Sequence, residues 1–109
     1  MANVYLSPDA ETDLERIGDY IARRKGSPRN ALNTLRKIKT RIDELKDFPL
    51  LGKQLSAVTA IDTAYRFLGC GNYLAFYRYK NDNVFIDRIF HSRQDYVAIL
   101  LGDTDDDYM

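Results

Sequence analysis

The sequence has one cysteine, one histidine and no long apolar run. The single cysteine, Cys70, cannot form an internal disulfide, which agrees with a reducing compartment. No apolar stretch approaches the roughly 20 residues that cross a bilayer. Residues 1–8 also lack the basic start and the apolar core of a signal peptide. These absences predict a cytoplasmic protein with no membrane segment.

What the sequence does contain is the composition of an ordinary globular domain, with 45% hydrophobic and 29% charged residues among 109. This length supports one hydrophobic core and is short for two. Four of the sixteen acidic residues lie in the last seven positions, which leaves the preceding chain basic. We therefore expect one domain over residues 1–101 and an acidic, disordered tail over residues 102–109. A basic body favours nucleic acid or an acidic protein as partner.

The first half of the chain predicts a short strand followed by an αα-hairpin. Residues 4–6 are typical of a strand, and residues 7–8 and 27–28 both read Ser-Pro. Each Ser-Pro pair combines an N-cap with a proline at the first helical position. Apolar residues recur at helical spacing after both pairs, and Gly26 and Pro49 indicate where the two helices end.

The second half predicts an antiparallel meander. Residues 64–68, 73–79 and 84–90 are rich in aromatic and β-branched residues and are separated by turn-forming residues. Residues 50–63 have no sustained period and predict an irregular connection. Residues 95–101 predict a short C-terminal helix. The expected fold class is α+β, in which the N-terminal strand and the αα-hairpin pack on the meander.

The end of the last predicted strand carries the clearest chemical signal. From Arg88 to Tyr96 the sequence reads RIFHSRQDY, which places the only histidine, His91, beside arginines and a tyrosine. An imidazole changes charge near neutral pH, and guanidinium and phenol groups donate hydrogen bonds to phosphate oxygens. The pattern favours binding and proton transfer at a phosphodiester. The alternative is that His91 simply closes the strand.

This layout, together with four sequence strings, resembles the RelE/ParE family of toxins from bacterial type II toxin–antitoxin modules. The strings are Phe48-Pro49 followed by Gly52 and Leu55, residues 65–68 (YRFL), residues 72–78 (NYLAFYR) and residues 91–96 (HSRQDY). The resemblance covers about residues 3–101. It implies a toxin that a cognate antitoxin neutralises, with operator DNA bound only through that antitoxin. A hydrophobic groove on the αα-hairpin and the first strand edge is expected to receive an antitoxin helix.

Members of this family divide between two activities. RelE-like toxins cut mRNA in the ribosomal A site, whereas ParE-like toxins inhibit DNA gyrase and are not known as nucleases. We expect ribosome-dependent mRNA cleavage, by a metal-independent endoribonuclease that uses no cofactor. Gyrase inhibition and an inactivated, regulatory member are the alternatives. Leu68 and Leu74 stand where RelE-like toxins place basic residues, which weakens the nuclease prediction.

The resemblance also implies a catalytic set, which consists of His91, Arg66, Arg93 and Tyr96. His91 is expected to carry the proton, and the two arginines are expected to hold phosphates through their planar forks. Tyr96 is expected to stack on a base or to move a proton. The structural alternatives are an Arg66 that pairs with an acid across the sheet and a Tyr96 ring that packs on it.

Two further arginines, Arg78 and Arg88, are predicted to extend a basic face that binds nucleic acid. The alternative is that they pair with Asp87 and Asp82 on the neighbouring strand. Strict alternation also places Arg88 on the same strand face as three apolar residues, namely Val84, Ile86 and Phe90. One face of this strand is therefore not cleanly apolar.

Overall fold

A computed structural model describes residues 1–57, 63–94 and 100. The elements are β1 Asn3–Leu6, α1 Pro8–Asp19, a π-helical turn Tyr20–Arg24, α2 Pro28–Asp43, a 3-10 turn Glu44–Lys46, β2 Lys53–Gln54, a 3-10 turn Leu55–Ala57, β3 Arg66–Cys70, β4 Tyr73–Lys80 and β5 Asn83–His91. Within the described residues, the two helices pack on a five-stranded mixed sheet of order β1-β5-β4-β3-β2. This arrangement confirms the predicted α+β fold.

Both helices begin where the Ser-Pro pairs predict. The hydroxyl of Ser7 accepts a hydrogen bond from the Ala10 amide at 3.0 Å, and that of Ser27 accepts one from the Asn30 amide at 3.2 Å. Each cap satisfies an amide that has no partner within its helix. The first helix continues through the π-helical turn and stops before Gly26, whose φ of 64° favours glycine.

The three predicted meander strands are present. The predicted N-terminal strand β1 is also present, although its pairing was not predicted, and the strand β2 was not predicted. β1 runs parallel to β5, with Leu6 opposite Ile86, so the sheet is mixed. The expected irregular connection over residues 50–63 contains β2, which pairs with β3. Two residues are too few to show a strand period, so the pattern could not reveal this strand. The predicted strands over residues 64–68 and 73–79 leave a turn over residues 69–72. The observed turn is shorter than this, because β3 extends to Cys70.

A β-bulge in β5 explains the mixed face that strict alternation predicted. The register with β4 shifts between Phe76 and Tyr77, which leaves Asp87 as the extra residue. Because the bulge reverses the alternation, Ile89 takes the helix-side position that strict alternation gave to Arg88, and the Arg88 guanidinium packs over the ring of Phe90. The residues of β5 in the helix-side core are therefore Val84, Ile86 and Ile89.

The sheet carries apolar clusters on both faces. The helices cover the larger cluster, and the smaller one contains Leu55, Phe76 and Phe90, with Leu100 packed against it. Apart from Leu100, the predicted C-terminal helix over residues 95–101 and the acidic tail over residues 102–109 lie outside the described residues. Among the described helices, none combines the length and the apolar character that crossing a membrane requires.

Beyond the end of β1, the Ser7 backbone amide and the Asp13 side chain hydrogen-bond to the edge of β5. The Ser7 amide donates to the Ile86 carbonyl at 2.9 Å, and the Asp13 carboxylate accepts from the Ile89 amide at 2.8 Å. Asp13 is 2% exposed and also receives two hydrogen bonds from Arg88, at 2.8 and 2.9 Å. This buried ion pair attaches α1 to the sheet where strand pairing stops.

Candidate functional site

An open groove of about 1060 Å³ lies between the αα-hairpin and the end of the β4–β5 hairpin. Its lining includes the buried side chains of Ile17, Ile21 and Tyr73. It also includes four basic side chains, namely Lys25, Lys37, His91 and Arg93. An apolar floor beside cationic groups suits a ligand that presents both apolar surface and negative charge.

His91 ends β5 and is held on two sides. It lies directly opposite Tyr73 on β4, and the two rings meet edge to face with centroids 5.2 Å apart. In the following turn, the Ser92 amide donates to the Asn72 carbonyl at 2.9 Å. The side-chain oxygen of Gln94 accepts from the His91 amide at 3.0 Å. The imidazole is therefore fixed at the mouth of the groove.

The surroundings of His91 favour the neutral imidazole. Partial burial lowers the pKa of His91 below its ordinary value, and the positive charges of Arg93 and Lys25 lower this pKa further. Nδ1 accepts a hydrogen bond from the Arg93 amide at 3.1 Å, so Nε2 carries the proton of the neutral ring. In this arrangement His91 is a hydrogen-bond donor, and it offers no lone pair for a general base.

We expect an NMR titration of the single histidine to give a pKa below about 6.5. The unfolded chain binds the His91 proton more tightly than the folded chain does. The neutral His91 therefore contributes fully to the free energy of unfolding above pH about 6.5, and this contribution is lost as the pH falls through the lower pKa of the folded state. Arg93→Ala and Lys25→Ala should each move the pKa of His91 back toward the ordinary value. A value at or above 6.5 in the wild type would contradict the geometry described.

Of the predicted catalytic arginines, only Arg93 lies near His91. Arg66 begins β3 and lies four residues before Cys70, which is level with Tyr73 and His91. At about 3.3 Å per residue, Arg66 is about 13 Å farther along the sheet. Its guanidinium donates to the Gly52 carbonyl at 2.8 Å. The structure thus separates Arg66 from His91.

The two arginines predicted to bind nucleic acid each face a carboxylate. Arg78 donates to Asp87 at 2.7 and 3.3 Å, as one of the alternatives proposed from the sequence. Arg88 donates to Asp13 of α1, a partner that the sequence argument did not consider. The Arg78 side chain is 49% exposed and that of Arg88 15%, so Arg78 is the more accessible of the two.

Three positions that bear on the nuclease prediction remain, namely Tyr96, Leu68 and Leu74. Tyr96 lies outside the described residues. Leu68 is 2% exposed and belongs to the helix-side core. Leu74 packs against the smaller cluster on the other face. These two leucines therefore have packing roles at positions where RelE-like toxins carry cations.

Comparison with known protein families decides the membership. Residues 4–96 match the family described as the ParE toxin of the type II toxin–antitoxin system parDE. The chain belongs to the ParE toxin family. It is thus the toxin of a type II toxin–antitoxin module, and its family implies a cognate antitoxin as partner.

Solved structures support the fold of this ParE family toxin. It is similar to a structure of the chromosomal ParDE TA system from P. aeruginosa, with 22% identity and a TM-score of 0.70. That match covers 84% of this chain and 96% of the other. YafQ from E. coli strain BL21(DE3) matches at 15% identity and a TM-score of 0.45, over 84% of this chain and 93% of the other. No curated protein matches the sequence.

The groove of this ParE toxin includes residues that the sequence argument missed. Tyr20 and Lys25 reach it because the π-helical turn follows α1 directly, and Lys37 reaches it from α2. No local sequence pattern marks a π-helical turn of this kind. Asp13, which is not among the residues that line the groove, was also missed, although it falls on the apolar stripe beside Leu14, where a charged residue needs a buried partner.

Proposed function

We propose that this toxin arrests growth by binding DNA gyrase in the cytoplasm and that it does not cleave mRNA. This is the alternative considered in the sequence analysis, and it replaces ribosome-dependent cleavage as the favoured function. The cognate antitoxin would neutralise the toxin and would supply its only connection to operator DNA. Family membership supports the proposal, since ParE-like toxins as a class inhibit gyrase.

The separation of the expected catalytic residues is the observation that carries the proposal. Attack of a ribose 2′-hydroxyl on the adjacent phosphorus needs a base, an acid and cations around one phosphate. Arg66 lies about 13 Å along the sheet from the level of His91 and is bonded to the Gly52 carbonyl. With buried or packed leucines at positions 68 and 74, a nuclease site at His91 would lack the two basic residues that RelE-like toxins carry at those positions.

The state of His91 supports the same conclusion. A neutral imidazole whose Nδ1 already accepts a hydrogen bond has no free lone pair for the 2′-hydroxyl proton. It can still donate a hydrogen bond from Nε2 to a partner in the groove. A binding role therefore fits the geometry of His91 better than a role as general base.

The proposal is tested by two assays on the same purified toxin. We expect inhibition of gyrase supercoiling with accumulation of cleaved DNA, and we expect intact mRNA in primer extension from a purified translation system. His91→Ala should leave the translated mRNA intact as well. Ribosome-dependent cuts that disappear in His91→Ala would overturn the proposal and establish the nuclease.

A further inference from the structure

The loop over residues 48–52, which follows α2, exposes three large apolar side chains. Phe48 is 64% exposed, Leu50 59% and Leu51 42%. Single exposed apolar residues are common on protein surfaces, but here three lie within four positions of one short loop. Such a patch contributes nothing to the core of this chain.

Buried polar groups hold the 48–52 loop in one conformation. Tyr77 is fully buried, and its hydroxyl donates to the Pro49 carbonyl at 2.8 Å and accepts from the Gly52 amide at 2.9 Å. Arg66 donates to the Gly52 carbonyl at 2.8 Å. The Leu51 amide closes the turn on Phe48 at 3.0 Å. The backbone under the exposed side chains is thus bonded at several points.

A rigid loop that presents apolar side chains is well suited to binding a protein. Ordering a flexible segment costs free energy on association, and a preorganised loop avoids most of that cost. Large apolar side chains that fill a pocket on the partner are typical anchors of protein interfaces. The hydrogen bonds of Tyr77 therefore fix the loop backbone in a conformation in which the side chains of Phe48 and Leu50 are exposed.

We infer that the 48–52 loop is an apolar anchor that inserts into a pocket on the protein target of this toxin. Under the proposed function, on which this assignment of the partner rests, that target is gyrase. A dimer held only by this loop packing on its own copy is a poor alternative, because the three side chains expose only roughly 300 Å² if a large apolar side chain has about 200 Å². A stable interface needs about 800 Å² on each partner. The loop is an anchor within a larger contact.

The test compares the double variant Phe48→Ala/Leu50→Ala with Leu32→Ala. Leu32 is a matched control, since it is 49% exposed on α2 and lies away from both the loop and the groove. Both changes remove exposed side chains, so the melting temperature should change little in either case. The measurements are growth arrest at equal expression and the toxin concentration that half-inhibits gyrase.

We expect the double variant to lose growth arrest and to need about 30-fold more toxin for half-inhibition, a loss typical of a removed anchor. Leu32→Ala should match the wild type. A folded double variant that arrests growth as the wild type does would overturn the inference. A further outcome is that the wild type arrests growth without inhibiting gyrase, while the double variant does not arrest growth. This result would overturn the proposed function, and the loop would then be an anchor for a protein target other than gyrase. Dimerisation that the double variant abolishes would also overturn the inference, in favour of a second copy.

Discussion

Replacing Asp13 by alanine is expected to lower the free energy of unfolding by about 3–5 kcal/mol, as measured by urea denaturation. The change removes the carboxylate that faces the Arg88 guanidinium and accepts from the Ile89 amide, in a place where water has little access. A buried cation that loses its counter-ion pays a large desolvation penalty. Since small domains are stable by only about 5–15 kcal/mol, this single change would remove a large share of the free energy of unfolding.

Two further variants give the Asp13 experiment its controls. Asp13→Asn keeps an acceptor for the Ile89 amide and loses the charge, so its cost should be smaller than that of alanine. Asp43→Ala removes an exposed partner of Lys46, in a pair whose side chains are 45% and 64% exposed, and should cost less than about 1 kcal/mol. If Asp13→Ala and Asp43→Ala had the same small effect, the buried ion pair would not stabilise the fold as described.

Replacing Gly52 by alanine is expected to cost about 2–4 kcal/mol in the same assay. A Cβ at this position would lie 2.7 Å from the Phe67 carbonyl oxygen and 2.7 Å from the Tyr77 ring and hydroxyl. Backbone and a fully buried ring cannot move aside easily, so the loop must shift and weaken the Tyr77 hydrogen bonds. The cost arises from lack of space rather than from backbone conformation.

Gly69 is the matched control for Gly52. A Cβ added at Gly69 would meet no atom within 4 Å, and this residue lies exposed in β3. Gly69→Ala should therefore change the free energy of unfolding by no more than about 0.5 kcal/mol. Equal losses in the two alanine variants would show that the close approach around Gly52 does not exist.

Much of the fold could be predicted because its signals are local. The Ser-Pro pairs at residues 7–8 and 27–28 act on amides within three positions, and the helical apolar stripes are visible over single segments. The three meander strands were found from their composition, although β3 was placed two residues early. Glycine at position 69 suggested a turn, whereas the strand in fact continues to Cys70. The two-residue strand β2 left no periodic signal.

The candidate site was predictable only in part. His91 and Arg93 are two positions apart in sequence and both line the groove. Arg66 was grouped with them through the family resemblance, but strand register places it at the opposite end of β3 from Cys70, which is level with His91. Register depends on the pairing of whole strands and on the bulge at Asp87, which no alternation pattern in one strand contains.

The helix starts, the α+β order of elements and the family resemblance could all be read from the chain alone, because they depend on residues close together in it. The tertiary structure alone decided which polar groups meet. The Arg66 contact with Gly52 spans 14 positions, and the Ile89 contact with Asp13 spans 76. Such contacts form only after the helices pack and the strands pair, so they follow from the geometry of the assembled fold and not from any local pattern.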